Sequence, residues 1–313
     1  MRVLVTGANG FVGRRVVQRL VDEGHDVHAG SGPGPAPETP VGAAGARWAP
    51  LDVTSRESVA ALLCEGCDAV VHLAGMASAK EANHDPARAW LVNAVGTAAV
   101  ASGLAEAKRA GRCDPLLLIS SSAEVYMPRV NHQHRETDPV GPVTPYAATK
   151  LGAELAGMTA WRGAGLRVVV ARPFPHVGAG QTTKFWVPKQ ARVLLDAKRR
   201  GAPAITVGDL NAVRDFLHVD DVVDAYLLLL RAGVPGEVYN IASGQAITLE
   251  GVQAKLETLI GIHPVRERDT AEVRTDARAY HVGDAAKLRA ATGWTPRRSL
   301  DDALRDVIDA QAD

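Results

Sequence analysis

The stretch RVLVTGANGFVG, Arg2 to Gly13, decides the fold. Five residues of largely apolar, β-favouring character run into Gly7, Gly10 and Gly13, and the amphipathic FVGRRVVQRLVDEG follows at once. Glycine at such a strand-to-helix turn lets the backbone fold back tightly and approach a pyrophosphate, which then rests on the helix N-terminus. The spacing is G-x-x-G-x-x-G, and a glycine triplet alone is a weak signal. Its position between a first strand and a first helix makes it a strong one.

The pattern continues outward from there. HDVHAG, ARWAPLDV, DAVVHLAG, DPLLLISS and LRVVVARP are short apolar runs without polar alternation. Amphipathic segments such as PARAWLVNAVGTAAVASGLAEAKRAG separate them. Buried strands alternating with helices predict an α/β fold, a doubly wound parallel sheet covered on both faces. The Gly- and Pro-rich SGPGPAPETPVGAAGA is expected to be a loop. After Pro173 the regularity loosens. The expectation is a dinucleotide-binding domain over 1–173 and a smaller α/β substrate domain over 174–313, with about 215–242 returning to the first.

Composition excludes several classes. The chain has 313 residues, 46% hydrophobic and 22% charged, with 35 basic against 35 acidic side chains. No basic cluster points to nucleic acid or a membrane surface, and no apolar run reaches the roughly 18 residues of a span. A cytoplasmic protein without a signal peptide is expected. Three cysteines are an odd number for a disulfide framework. Cys64 and Cys67 form C-x-x-C, but only Cys113 remains to complete a zinc set, so no metal is expected. NHQH, Asn131 to His134, lies in a polar stretch and is read as a surface or lid loop.

The end of the second strand bears on the choice of dinucleotide. An acidic side chain there would bind the adenosine ribose and repel a 2′-phosphate, but the position holds Ser31. With Arg14 and Arg15 on the first helix, NADP is mildly favoured over NAD. Asp52 suits an adenine amino group or, more simply, a helix cap before SRESVAALL.

TPYAATK places Tyr146 and Lys150 four apart, with Thr144 as N-cap and Pro145 in the first turn. Residues i and i+4 share a helix face, so the lysine can stand near the phenol and lower its ordinary pKa of about 10. Ser122 adds a hydroxyl at the carboxyl end of a strand, where doubly wound sheets bind ligands.

Gly7/Gly10/Gly13, Ser122, Tyr146 and Lys150, in this order, resemble the extended short-chain dehydrogenase/reductases that act on nucleotide sugars. HLAG, VNAVGT, YAATK, AVRDFLHVDDVVDAY, GEVYNIASG and TGW carry the likeness along the whole chain. The resemblance implies that Tyr146 is the acid/base at the sugar C4 oxygen, that Ser122 hydrogen-bonds the same oxygen and that Lys150 also holds the nicotinamide ribose. It extends the cofactor set to Phe11, Val12, Val53, Leu73, Ala74, Gly75, Asn93, Ser120 and Pro173, beside Ser31 and Asp52. The carboxyl half is most similar to GDP-4-keto-6-deoxymannose reductases and GDP-mannose 4,6-dehydratases. Arg192, Arg214 and Arg274 match positions that grip the diphosphate, and a guanidinium fork suits its oxygens. Gln181 falls in the HVGAGQ loop of the same group. Pro175 replaces an asparagine that contacts substrate, and Met127 replaces a glycine.

The segment SSSAEVYM, Ser120 to Met127, separates the possible reactions. A 4,6-dehydratase needs an acid and a base close together. Glu124 stands at the base position, but Ala123 occupies the acid position and can donate no proton. Ketoreduction at C4 is therefore the first expectation, C4 epimerisation the second and dehydration the third. Retention of Ser122, Tyr146 and Lys150 disfavours a non-catalytic NAD(P) sensor. Two helices apolar over more than one stripe predict a homodimer.

Overall fold

The computed structural model describes residues 1–32, 45–63, 66–269 and 280–312. Its centre is a seven-stranded sheet. The strands are β1 (Arg2–Thr6), β2 (Asp26–Ser31), β3 (Arg47–Pro50), β4 (Ala69–His72), β5 (Leu116–Ser120), β6 (Arg167–Pro173) and β7 (Val238–Ile241). In space they run β7-β6-β5-β4-β1-β2-β3, and every pairing is parallel. The order reverses between β1 and β4, the switch point at which such sheets leave a crevice beyond the strand ends. Thr6 and His72 are register partners on the two sides of it.

Strand alternation divides the core. Val3, Val5, Leu118, Val169 and Ala171 face one way, toward Val16, Val17 and Leu20 of α1 (Phe11–Asp22) and Val222 and Leu229 of a helix at Val219–Ala232. Leu4, Val70, Leu117, Ile119 and Val170 face the other. There they meet α2 (Arg56–Leu63), α3 (Gly96–Arg109) and α4 (Pro145–Ala164). Both faces are apolar because both are covered, hence the absence of polar alternation in the sequence.

The long segment from Pro86 is not one helix. After a short turn at Pro86–Ala89, Trp90–Val95 forms a wide π-type turn before α3 begins. Such bulges cluster at functional positions, and this one presents Asn93.

A third buried cluster joins α5 (Trp186–Arg200), α7 (Leu249–Ile260) and α8 (Leu300–Ala312), and α6 (Val219–Ala232) has no part in it. Its apolar members Val187, Leu194, Ile205, Val252, Leu256, Leu304 and Val307 come from α5, α7, α8 and the strand Ala204–Val207. By contrast, α6 and β7 lie in the sheet's own core, with Tyr226, Tyr239 and Ile241 among its buried members.

NHQH does not form a surface loop. Gln133–His134 is a short strand beside Val282–Gly283, and His134 is fully buried. Stacking on Tyr126 draws the ring inward, with centroids 4.8 Å apart.

Candidate active site

The glycine turn has the geometry that a dinucleotide needs. Gly7 has φ +67°, and a Cβ there would lie 2.7 Å from the Ala74 nitrogen. A Cβ on Gly13 would lie 2.1 Å from the Gly7 carbonyl oxygen. Gly10 caps α1 with no side-chain hydrogen bond, so the first amides of α1 face the crevice with no side chain spent on them. The residues present therefore fit the pyrophosphate of a bound dinucleotide.

Phe11 stacks on His176, and Val12 packs against the core. Arg15 is occupied: it lies 4.8 Å over the Phe11 ring, donates 2.6 Å to the Ala179 carbonyl and pairs with Asp220 at 3.2 Å. That removes it as a partner for a 2′-phosphate and leaves the exposed Arg14 near Gly180. The Ser31 hydroxyl donates to the Ala49 carbonyl of β3 at 3.3 Å. Asp52 is not the helix cap. Its Oδ1 accepts from the Thr54 amide (2.9 Å) and hydroxyl (2.7 Å), which hold its carboxyl below the usual range, while Ser55 caps α2 through the Ser58 amide. Val53 is buried against Gly96.

The crevice wall opposite is built on a neutral histidine. The Thr97 hydroxyl gives its proton to the Asn93 carbonyl, so His72 Nε2 must donate to Thr97 Oγ1 (3.0 Å). Nδ1 then accepts from Thr6 (2.8 Å), whose oxygen receives the Ala74 amide at 3.1 Å. Burial pushes His72 down to about 3. The Leu73 amide donates to the Thr6 carbonyl. Asn93 locks this loop to α4: its Oδ1 accepts from the Met76 amide at 2.7 Å and its Nδ2 donates to Thr149 at 2.9 Å. A Cβ on Gly75 would lie 2.9 Å from the same Oδ1.

Thr144 caps α4 by accepting from the Ala147 amide, with Pro145 in the first turn. This projects Tyr146 and Lys150 toward the end of β5. The Tyr146 and Ser122 hydroxyls are hydrogen-bonded, and Ser122 Oγ also accepts from the Glu124 amide at 3.2 Å. Burial and the nearby Glu124 carboxylate push the Tyr146 phenol well above its ordinary value, while the Ser122 hydrogen bond opposes them. Lys150 is not among the groups that set the phenol's acidity. Its Nζ instead donates to the Ser120 carbonyl, and burial pushes it down to about 8, with Glu154 opposing. Ala123 is buried and apolar, and its position offers no acid.

Three residues that the sequence reading passed over support this group. The Ser120 hydroxyl lies 2.8 Å from Tyr226 Oη on α6. Behind it, Glu154 grips Arg172 with both oxygens (2.8 and 2.7 Å), and Arg172 lies 4.7 Å over the Tyr126 ring. The signal was present in part: Glu154 lies four residues beyond Lys150 and shares its helix face.

The expected substrate residues are less closely gathered. Arg192 donates to Gln311 at 3.2 Å, and Arg214 donates to the Val213 carbonyl at 2.9 Å beside His281, which it helps burial to push down to about 3. Gln181 donates to the His176 carbonyl at 3.1 Å. The Pro175 carbonyl accepts from Leu217 at 2.8 Å, and Pro173 ends β6 beside Ile241 of β7. Met127 is exposed and lies over Gly141 rather than inside the crevice. Arg274 and Cys64 fall outside the described residues. Cys67 is buried and its thiol is pushed up to about 12, which removes its reactivity.

A parallel sheet with this switch point, a glycine turn and a Ser–Tyr–Lys group defines a dinucleotide-dependent oxidoreductase. Residues 3–242 match the NAD dependent epimerase/dehydratase family, and the chain belongs to that family. It is 34% identical to GDP-6-deoxy-D-mannose reductase of Pseudomonas aeruginosa, over 98% of this chain and 96% of the relative. The structure of RMD from the same organism, complexed with NADPH, superimposes with TM-score 0.83 at 32% identity and covers 99% of this chain and 98% of that one. UDP-glucose 4-epimerase of Thermotoga maritima, with UDP-glucose, reaches 0.87 at 25% identity over 99% and 98%. Among the described residues no helix is long and apolar enough to cross a membrane.

Proposed function

We propose that the protein is a cytoplasmic NAD(P)-dependent ketoreductase acting at C4 of a nucleotide-diphosphate 4-keto-6-deoxyhexose, with a GDP-linked substrate and NADP favoured. The observation that carries this reading is the placement of the Tyr146 hydroxyl, hydrogen-bonded to Ser122 beside Glu124, where burial favours the protonated phenol. Ketone reduction adds a hydride to C4 and a proton to the C4 oxygen. The reduced nicotinamide, when bound, supplies the hydride. Tyr146 delivers the proton, and Ser122 holds the oxygen that receives it. Lys150 orients the nicotinamide ribose and recharges the phenol, while Glu124 binds a sugar hydroxyl. Dehydration at C5–C6 would need a second proton donor at Ala123, where the side chain has none. The name of the 34% identical reductase supports the same reaction and the GDP link. Arg192, Arg214 and Arg274 are assigned to the diphosphate, with Gln181 and Pro175 lining the sugar.

The exposed Trp90, Leu91, Val95 and Leu155 form an apolar surface beside an alanine-rich groove between α3 and α4. We assign this surface to a homodimer.

Product mass tests the reaction, measured with GDP-mannose, its 4-keto-6-deoxy derivative and the UDP and dTDP counterparts against each reduced and oxidised cofactor. A gain of two hydrogens with reduced cofactor consumed establishes the ketoreductase. Unchanged mass with a new chromatographic peak would replace it with an epimerase, and loss of water with a dehydratase.

A further inference from the structure

Outside the crevice, the turn that follows Tyr126 gathers a second set of polar side chains. His132 Nε2 lies 2.6 Å from Asp138 Oδ2, and His134 Nδ1 lies 3.9 Å from the same oxygen. One donor atom from each of the three residues falls within 4.8 Å of the other two. We propose that His132, His134 and Asp138 form a binding site for a divalent cation of the zinc class.

His134 is the reason to look beyond an ion pair. Its ring is fully buried, and among the described residues neither ring nitrogen meets a hydrogen-bond partner. The Tyr280 backbone lies near enough to favour the protonated ring but outside hydrogen-bond geometry. Leaving a buried polar group unpaired is costly, and His134 is the one described residue with both side-chain nitrogens buried and unpaired. The contact between His132 and Asp138 satisfies those two residues and leaves His134 unexplained. A metal ion held by the three together accounts for all of them.

The surroundings fit a ligand set. His134 is fixed against Tyr126 at an interplanar angle of 9°, and the His132 ring stands nearly perpendicular to it at 83°. Two imidazoles at right angles can aim lone pairs at one point from different directions. Arms of about 2.0–2.1 Å at tetrahedral angles place donor atoms about 3.3 Å apart. The 2.6 and 3.9 Å separations bracket that value, and the spread of up to 4.8 Å among the three donor atoms closes by side-chain rotation. Asp138 Oδ2 also accepts from the Arg135 amide at 2.9 Å, a contact that orients the carboxylate. Three protein ligands leave a fourth position open to water.

One group opposes the ion. The Arg129 guanidinium reaches His132 Nε2 at 3.3 Å and Asp138 Oδ1 at 3.4 Å, and must swing away. Its side chain is 47% exposed, which leaves room for that movement. The bound ion would tie the turn from Arg129 to Val140 onto Tyr126, two residues beyond Glu124.

Equilibrium dialysis of the EDTA-stripped full-length protein against zinc chloride, with bound metal counted by mass spectrometry, tests the site. Wild type is expected to bind one equivalent. His132→Ala and Asp138→Asn, at partly exposed positions, are expected to weaken binding at least about tenfold, with circular dichroism confirming their fold. Arg129→Ala should tighten binding by removing the competing charge. No bound zinc in wild type, or one equivalent held equally by His132→Ala and Asp138→Asn, would overturn the proposal. Neither result depends on which nucleotide sugar the enzyme turns over.

Discussion

Glu154 lies one helical turn beyond Lys150, and its carboxylate is divided between the Ser121 hydroxyl (2.5 Å) and the Arg172 guanidinium (2.8 and 2.7 Å). Both members of the ion pair are 6% exposed. The charge beneath the active site is thus fixed from three elements at once: Ser121 just past β5, Glu154 on α4 and Arg172 on β6.

Breaking this pair from one side leaves a buried charge without compensation. Glu154→Leu or Arg172→Met is expected to lower unfolding free energy by about 3–5 kcal/mol, whereas the double variant should recover most of the loss. Urea denaturation midpoints at constant slope measure it. Equal destabilisation in the single and double variants would show that packing, not charge, dominates.

Lys150 gives the pH dependence. Burial holds its ammonium near a pKa of about 8, below the ordinary value of 10.5. The free protein therefore loses this charge as pH rises through 8, before an unfolded chain would. An anionic dinucleotide binds the charged form better, so its affinity should fall as pH rises through that value, with proton uptake on binding above it. Fluorescence titration of NADPH between pH 6.5 and 9.5 follows this. A Lys150→Met variant should bind weakly and show a flat profile, and a wild-type profile just as flat would contradict the assignment.

Tyr146→Phe removes the proton donor while keeping the ring. Turnover is expected to fall about 10²–10⁴-fold, with dinucleotide affinity unchanged. Glu124→Gln removes the carboxylate that helps keep the phenol protonated. Its alkaline limb of kcat should move to lower pH, because the phenol then ionises more readily. A rise in KM with an unmoved limb would restrict Glu124 to binding sugar.

The apolar surface on Trp90, Leu91, Val95 and Leu155 predicts association. Leu155 is 58% exposed, so Leu155→Glu should leave the fold intact and turn a dimer into a monomer in sedimentation velocity. A wild-type monomer across micromolar concentrations would refute the assignment.

Local signals were legible in the sequence because their causes are local. Gly7 and Gly13 answer to close approaches within one turn, and Thr144 and Pro145 cap the helix that they open. The six strands named from apolar runs all formed, and except at the exposed edge strand β3 burial on both faces writes itself into composition. Long-range pairings were not legible. Nothing around Arg15 announces that Ala179, 164 residues away, will claim it, and Asn93 finds Thr149 only through folding. The alternative reading of Asp52 as a helix cap fails because a turn to Thr54 takes its carboxylate, and a turn and a cap share the same residue preferences. His134 looked exposed because its neighbours are polar, while the aromatic partner that buries it, Tyr126, lies eight positions earlier.

The chain of hydroxyls around His72 has one further consequence. The Thr97 bond to the Asn93 carbonyl sets the tautomer of the ring, and burial keeps the ring neutral. The Nε2 hydrogen is consequently shielded from exchange and belongs to the crevice wall assigned to the dinucleotide. It is a natural magnetic-resonance beacon: one imidazole signal, silent to acidity, whose frequency reports whether the crevice is filled.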